Sequence, residues 1–147
     1  MNAFLLDVNV LAALVWAAHE SHDVVQRWFA RSARRGWATC PFTQAGFVRV
    51  LSSPAFSRDA LTPEEATRLL GVNLQHRFHR FWPAAIGYRE ALDLFHGRPT
   101  GHRQVTDAYL LGLALHHRGR LATLDRAIAA LLPEQDPRRA RVECISA

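Results

Sequence analysis

The sequence predicts an α/β fold: a mostly parallel central sheet of four or five strands, sandwiched between helices in one domain over residues 1–147. Three observations predict it. Short apolar runs, "AFLL", "WATC", "FHRFW", "RLATL" and "RVECIS", recur along the chain, and the segments between them carry apolar residues at helical spacing. The hydrophobic fraction, 49% of 147 residues, suffices for one core. Helices alternating with strands imply parallel pairing, and right-handed crossovers bring all the carboxyl ends to one edge of the sheet, where such folds bind ligands.

Each element has its own signal. "AFLLD" is too short for a helix and is followed by "VLAALVWAA" at a different spacing, which gives strand, Asp7, helix. Ser21 is an N-cap for a second helix with Val24, Val25, Trp28 and Phe29 on its apolar side, and Gly36 ends it. "WATC" is the second strand, and "TQAGFVRVLSSP" a helix stopped by Pro54. Thr62 at the N-cap, Pro63 at the first helical position and Glu65 at the third form a capping box. After the "FHRFW" strand, "YREALDLFH" reads as a helix and "GRPTGHRQ" as an exposed loop. "VTDAYLLGLALHHRG" places Ala108, Leu111 and Leu115 on one helical face and closes on Gly119. "RLATL" is the fourth strand, Arg126–Leu132 a helix, "PEQDPRR" a polar loop and "RVECIS" the last strand.

No apolar run reaches the ~18 residues of a membrane span, and the start carries an acid where a signal peptide would be basic, so a cytoplasmic location is expected. Two cysteines give neither a disulfide framework nor a zinc ribbon, and Cys40 and Cys144 are read as reduced core residues. Eighteen basic residues against 13 acidic ones leave a net charge of +5, which suits a polyanionic partner. All eighteen are arginines. That excludes a Walker lysine, a Schiff base and a lysine general base.

The acids at strand and helix ends carry the chemistry. Singly, Asp7 and Asp125 are ordinary N-caps and Asp107 an ordinary first-turn acid. If the first and fourth strands are neighbours, however, the three carboxylates converge and repel one another, and a divalent cation resolves that conflict. Oxygen ligands suit Mg²⁺ or Mn²⁺, and a carboxylate-bound metal in a basic protein points to phosphodiester hydrolysis.

Taken together, "LLDVNVLAAL", "CPFTQAGFVRVLSSP" and "VTDAYLLGLALHHRGRLATLD" resemble, in order and spacing, a PIN-domain ribonuclease, specifically the VapC toxins of type II toxin–antitoxin pairs. The resemblance covers nearly the whole chain. It implies a PIN-like α/β/α sandwich, Mg²⁺- or Mn²⁺-dependent endonuclease activity on RNA, a homodimer and inhibition by a cognate antitoxin. Asp7, Asp107 and Asp125 match the family's metal-site acids, and Asn9 matches a polar position that supports the first of them. The family's strand order also separates Cys40 from Cys144, so the two are not expected to pair.

One position departs from the family pattern. Gln44 stands where similar proteins carry Glu, and an amide can coordinate through oxygen without bringing negative charge. Two readings follow: an active endoribonuclease, or a weakened PIN-fold module that binds RNA or antitoxin without turnover. An aspartyl phosphatase ranks last, because Asn9 stands where its second Asp would be and its lysine is absent. His19, His22 and Asp23 invite a zinc reading, but no further ligands at zinc spacing join them. The aromatics of "QHRFHRFW" are read as core rather than as a base-stacking platform. "RSARR" and "GRPTGHR" are the better phosphate contacts, with a solvated basic face as the alternative.

Overall fold

In the computed structural model, which describes residues 2–95 and 101–146 and all but the side chain at 103, five strands form one sheet in the order β3-β2-β1-β4-β5. They are β1 (Phe4–Leu6), β2 (Trp37–Thr39), β3 (His79–Phe81), β4 (Arg120–Thr123) and β5 (Val142–Cys144), and every pairing is parallel. The central strand β1 is buried along its whole length, as a strand covered on both faces must be. Side chains alternate between the two cores: Ala3 and Leu5 enter one, Phe4 and Leu6 the other.

On the Phe4 side lie α1 (Val8–Val15), α2 (His22–Ser32), α3 (Pro41–Leu51) and α4 (Pro63–Asn73); on the Leu5 side lie α5 (Tyr88–Asp93) and α6 (Val105–His116). The caps predicted at Asp7, Thr62 and Asp125 form, whereas Ser21 heads α2 without a side-chain capping bond. Asp7 caps α1, and Thr62 and Glu65 exchange hydrogen bonds of 3.1 and 2.9 Å at the head of α4. The side chains of α2 finish α1, since His22 Nδ1 and Gln26 Nε2 donate to the otherwise free carbonyls of Ala13 and Leu14. Gly36 ends the second helical segment at φ 94°, as expected. At the end of α6 the left-handed residue is Arg118, at φ 57°, rather than Gly119. Gly119 is required for space instead, because a Cβ there would lie 2.5 Å from the Ala3 carbonyl.

Several local expectations are corrected. Arg126–Leu131 winds as a 3-10 helix, and Pro137–Arg141, which begins in the stretch read as loop and runs to the first residue of the stretch read as strand, forms another. The edge strands are also wetter than expected. Cys144 on β5 is exposed rather than in the core, while Cys40 is buried; both are free thiols. On β3 Phe81 is 52% exposed, and of that aromatic cluster only Trp82 is fully inside. Period-two burial holds where a sheet is covered, and at an edge the covering helices run out.

Candidate active site

The acids meet where β1 and β4 end. Leu6 pairs with Ala122, and the Asp7 N–H extends that ladder by donating to the Ala122 carbonyl at 2.9 Å. The carboxyl ends of the two strands are therefore adjacent; Asp7 follows β1 directly and Asp125 comes two residues after the end of β4. Asp107 reaches the same edge from the first turn of α6.

Asp7 is buried, at 7% exposure. Its Oδ1 accepts from the Val8 N–H at 2.8 Å and its Oδ2 from the Thr123 hydroxyl at 2.8 Å. Burial pushes its carboxyl above the usual range, the two hydrogen bonds partly offset that, and the charge of Asp125 adds to it. Asp107 is half-buried and is pushed up to about 6, by burial first and then by the charges of Asp7 and Asp125. Asp125 is exposed, with its Oδ1 accepting from Ala127 N at 2.8 Å and its own N–H donating to Thr123 Oγ1 at 3.0 Å.

The three carboxylates thus repel one another, and among the described residues no ion pair joins any of them to an arginine. Asp136 shows the contrast: the Arg138 guanidinium bonded to it at 2.6 Å holds its carboxyl down to about 2. Among the described residues no three acidic, cysteine or histidine side chains form a ready-made metal cage. The donor set nevertheless fits a hard divalent cation, since Mg²⁺ takes one or two carboxylates and keeps waters in its other positions.

Thr123 belongs to this candidate site, and sequence reading missed it. Fully buried, its hydroxyl donates to Asp7 and accepts from the Asp125 backbone, so one side chain positions both acids. Its only signal is a lone hydroxyl in an otherwise apolar strand end, two residues before an acid.

Gln44 is half-buried and donates through Nε2 to Thr39 Oγ1 at 2.9 Å, and that oxygen also lies 2.8 Å from His79 Nε2. Burial lowers the pKa of His79, and with the imidazole neutral and Nε2 unprotonated the Thr39 hydroxyl can give that nitrogen its one proton while accepting from Gln44. Gln44 is thus tied toward β2 and β3, and it brings no charge to the three acids.

Asn9 is exposed and lines a cavity of about 750 Å³ with Arg27, Arg126 and Asp23. Arg126 follows Asp125 directly in sequence, and Arg27 joins it in lining that cavity. "RSARR" instead precedes β2, and so lies at the opposite, amino edge of the sheet. Arg98 of "GRPTGHR" and the Arg103 side chain fall outside the described residues. The zinc reading is not supported. His19 Nδ1 accepts from the Ser21 N–H at 3.0 Å, and His22 Nδ1 is bonded to the Ala13 carbonyl at 2.7 Å.

The PIN-domain family model matches residues 4–131. The chain belongs to the PIN-domain family. Among curated relatives this PIN domain is 41% identical over 125 residues to ribonuclease VapC44 of Mycobacterium tuberculosis, covering 85% of this chain and 87% of that protein. It is 43% identical over 133 residues to ribonuclease VapC29 of the same organism, covering 86% and 89%. Among solved structures, the fold matches M. tuberculosis VapC20, titled a sarcin-ricin loop cleaving toxin. The TM-score is 0.66 at 15% identity, over 92% of this chain and 100% of that one. That last likeness speaks for the PIN fold alone.

Proposed function

We propose that this PIN domain is a divalent-metal-dependent endoribonuclease acting as the toxin of a type II toxin–antitoxin pair. The observation that carries the reading is the convergence of Asp7, Asp107 and Asp125, uncompensated, at the carboxyl edge of a parallel sheet. About 40% identity to proteins named VapC ribonucleases supports it.

Asp7, Asp107 and Asp125 would hold Mg²⁺ or Mn²⁺. When bound, such an ion supplies an activated water and neutralises charge on the phosphate. Asp7 is the fixed member, oriented by the Val8 N–H and Thr123. Burial and the neighbouring acids push Asp107 up to about 6, so in the metal-free site this carboxyl takes its charge above the ordinary carboxylate range. Asn9, Arg27 and Arg126 line the adjoining cavity, where the amide and guanidinium groups would meet RNA phosphates.

The site also suits inhibition by an antitoxin that inserts an arginine or lysine among the three carboxylates in place of the metal. A cytoplasmic homodimer is the assembly we expect, and among the described residues no helix is long and apolar enough to cross a membrane. Gln44 favours a second reading, a PIN fold that binds RNA or antitoxin without turnover, since it brings no charge to the site. Incubation of the protein with fluorescent RNA in EDTA, Mg²⁺ or Mn²⁺ separates the two. The nuclease reading expects cleavage only with metal. Binding without cleavage in all three would leave the second reading standing.

A further inference from the structure

A separate apolar pocket of about 250 Å³ opens beside the acids, on the β2–β3 side of the carboxyl edge. Its walls come from the elements that carry the candidate site. Phe42 lies on α3, two residues before Gln44, and Val105 and Thr106 lead directly into Asp107 on α6. Ile86, two residues before α5, and Tyr88, its first residue, complete the lining.

Three aromatic rings are grouped there. Tyr109 is buried and fixed, its hydroxyl donating to the Ile86 carbonyl at 2.8 Å. Phe42 lies 5.0 Å from it, and the Tyr88 ring runs nearly parallel to it, 14° off with centroids 6.3 Å apart. Phe42, Val105 and Tyr88 are 51%, 43% and 40% exposed, a concentration of wet apolar surface that folding does not require.

We propose that this pocket seats an unpaired base of the RNA strand whose phosphate lies at the three acids, with Phe42 and Tyr88 as the stacking residues. The proposal rests on the ribonuclease reading and names a subsite beside it. A base suits the pocket better than a protein partner does. The cavity has room for one planar ring, whereas a partner helix needs a groove long enough for anchors over several turns. A few exposed apolar side chains also fall short of the roughly 800 Å² per partner that a standard interface buries. The lining is mostly apolar, so it reads the face of a base rather than its hydrogen-bonding edge and tolerates any of the four. Charge is supplied across the acids by the cavity that holds Arg27 and Arg126, so a strand crossing the edge would meet stacking on one side and cations on the other.

The test is fluorescence anisotropy in EDTA with two short single-stranded oligoribonucleotides of equal length, one with bases and one abasic. The wild type is expected to bind the base-bearing strand about tenfold more tightly. Phe42→Ala and Tyr88→Ala should each remove most of that preference and leave abasic binding unchanged, with circular dichroism confirming the fold. A preference retained in both variants overturns the proposal. So does an unchanged preference accompanied by a shift from dimer to monomer in sedimentation, which would assign the patch to contact between copies. Failure of the ribonuclease reading shows differently, as RNA left uncut in Mg²⁺ and Mn²⁺ while the base preference persists.

Discussion

β1 and β4 lie side by side and end in the same local device, an aspartate that accepts a 2.8 Å hydrogen bond from a backbone N–H of the helical turn it begins. Their surroundings differ. Asp7 is sealed in and bonded to Thr123, while Asp125 stands in solvent. As caps the two are equivalent, each worth about 1 kcal/mol. Capping explains where the helices start and leaves unexplained why a buried cap should be an acid. Serine, threonine or asparagine would cap Asp7's turn without desolvating a charge. The cost is the sign of function: at Asp125 an acid is easily accommodated and carries little information, and at Asp7 it is strongly disfavoured by burial and carries much.

The largest effect should come from removing each charge while keeping the cap. Asp7→Asn and Asp125→Asn are each expected to slow RNA cleavage on the order of 100-fold or more, because a carboxylate lost from a metal site forfeits several kcal/mol of charge stabilisation. Their stabilities should part: metal-free Asp7→Asn should resist urea better than wild type, and Asp125→Asn should stay within about 0.5 kcal/mol of it. Equal stability in the two variants, or undiminished cleavage in either, would break the comparison.

Next in size is the packing that holds Asp7's cap donor. A Cβ on Gly46 would lie 2.5 Å from Val8 Cγ2, so Gly46→Ala should force α3 away from the start of α1. We expect a loss of about 1–3 kcal/mol in chemical denaturation, together with weaker metal binding. Unchanged melting and metal affinity would show that this contact yields without disturbing Asp7.

The pH dependence should reveal the third acid. Asp107 is raised to about 6, so the folded protein holds its proton more tightly than the unfolded chain does. Stability of the metal-free protein should accordingly fall as pH rises from the ordinary carboxylate range through about 6, then level off. After allowance for solvent screening of a half-exposed group the drop should be about 1–2 kcal/mol. Urea titrations of wild type and Asp107→Asn at several pH values would test this, the variant giving a flatter profile. A wild-type profile already flat would sink the assignment.

The smallest effect concerns Gln44. Gln44→Glu should raise metal affinity about tenfold, or about 1.4 kcal/mol, since most of the added attraction is offset by desolvation and by repulsion from the other acids. It should also reverse the proton along the Thr39 link. The introduced carboxylate would take the Thr39 hydroxyl proton, His79 would have to donate, and its pKa would rise. Calorimetry and histidine NMR titration measure the two effects separately. If only His79 responds, the introduced carboxylate faces the strand rather than the metal.

Much of this molecule was legible beforehand because it rests on local signals. All five strands, the capping box at Thr62 and Glu65, and the placing of Asp7 and Asp125 at strand ends follow from short-range patterns. What escaped depends on neighbours distant in sequence. The burial that separates Asp7 from Asp125 comes from strand pairing and from Thr123, 116 residues along the chain. The exposure of Phe81 and Cys144 follows from their strands being edges, and no residue pattern within β3 or β5 records that. "RSARR" looks like a phosphate contact because composition carries no direction. Only the parallel order puts it on the edge away from the acids.

Thr123 has a consequence for heredity. Its single hydroxyl serves Asp7 and Asp125 at once, 2.8 Å from the one and 3.0 Å from the other's N–H, so a change at this codon should disarm the protein while leaving every carboxylate in place. On the toxin reading, cells selected for surviving its expression should carry Thr123→Ala or Thr123→Ile as often as losses of the acids themselves. Thr123→Ser, which keeps the hydroxyl, should be missing from the survivors.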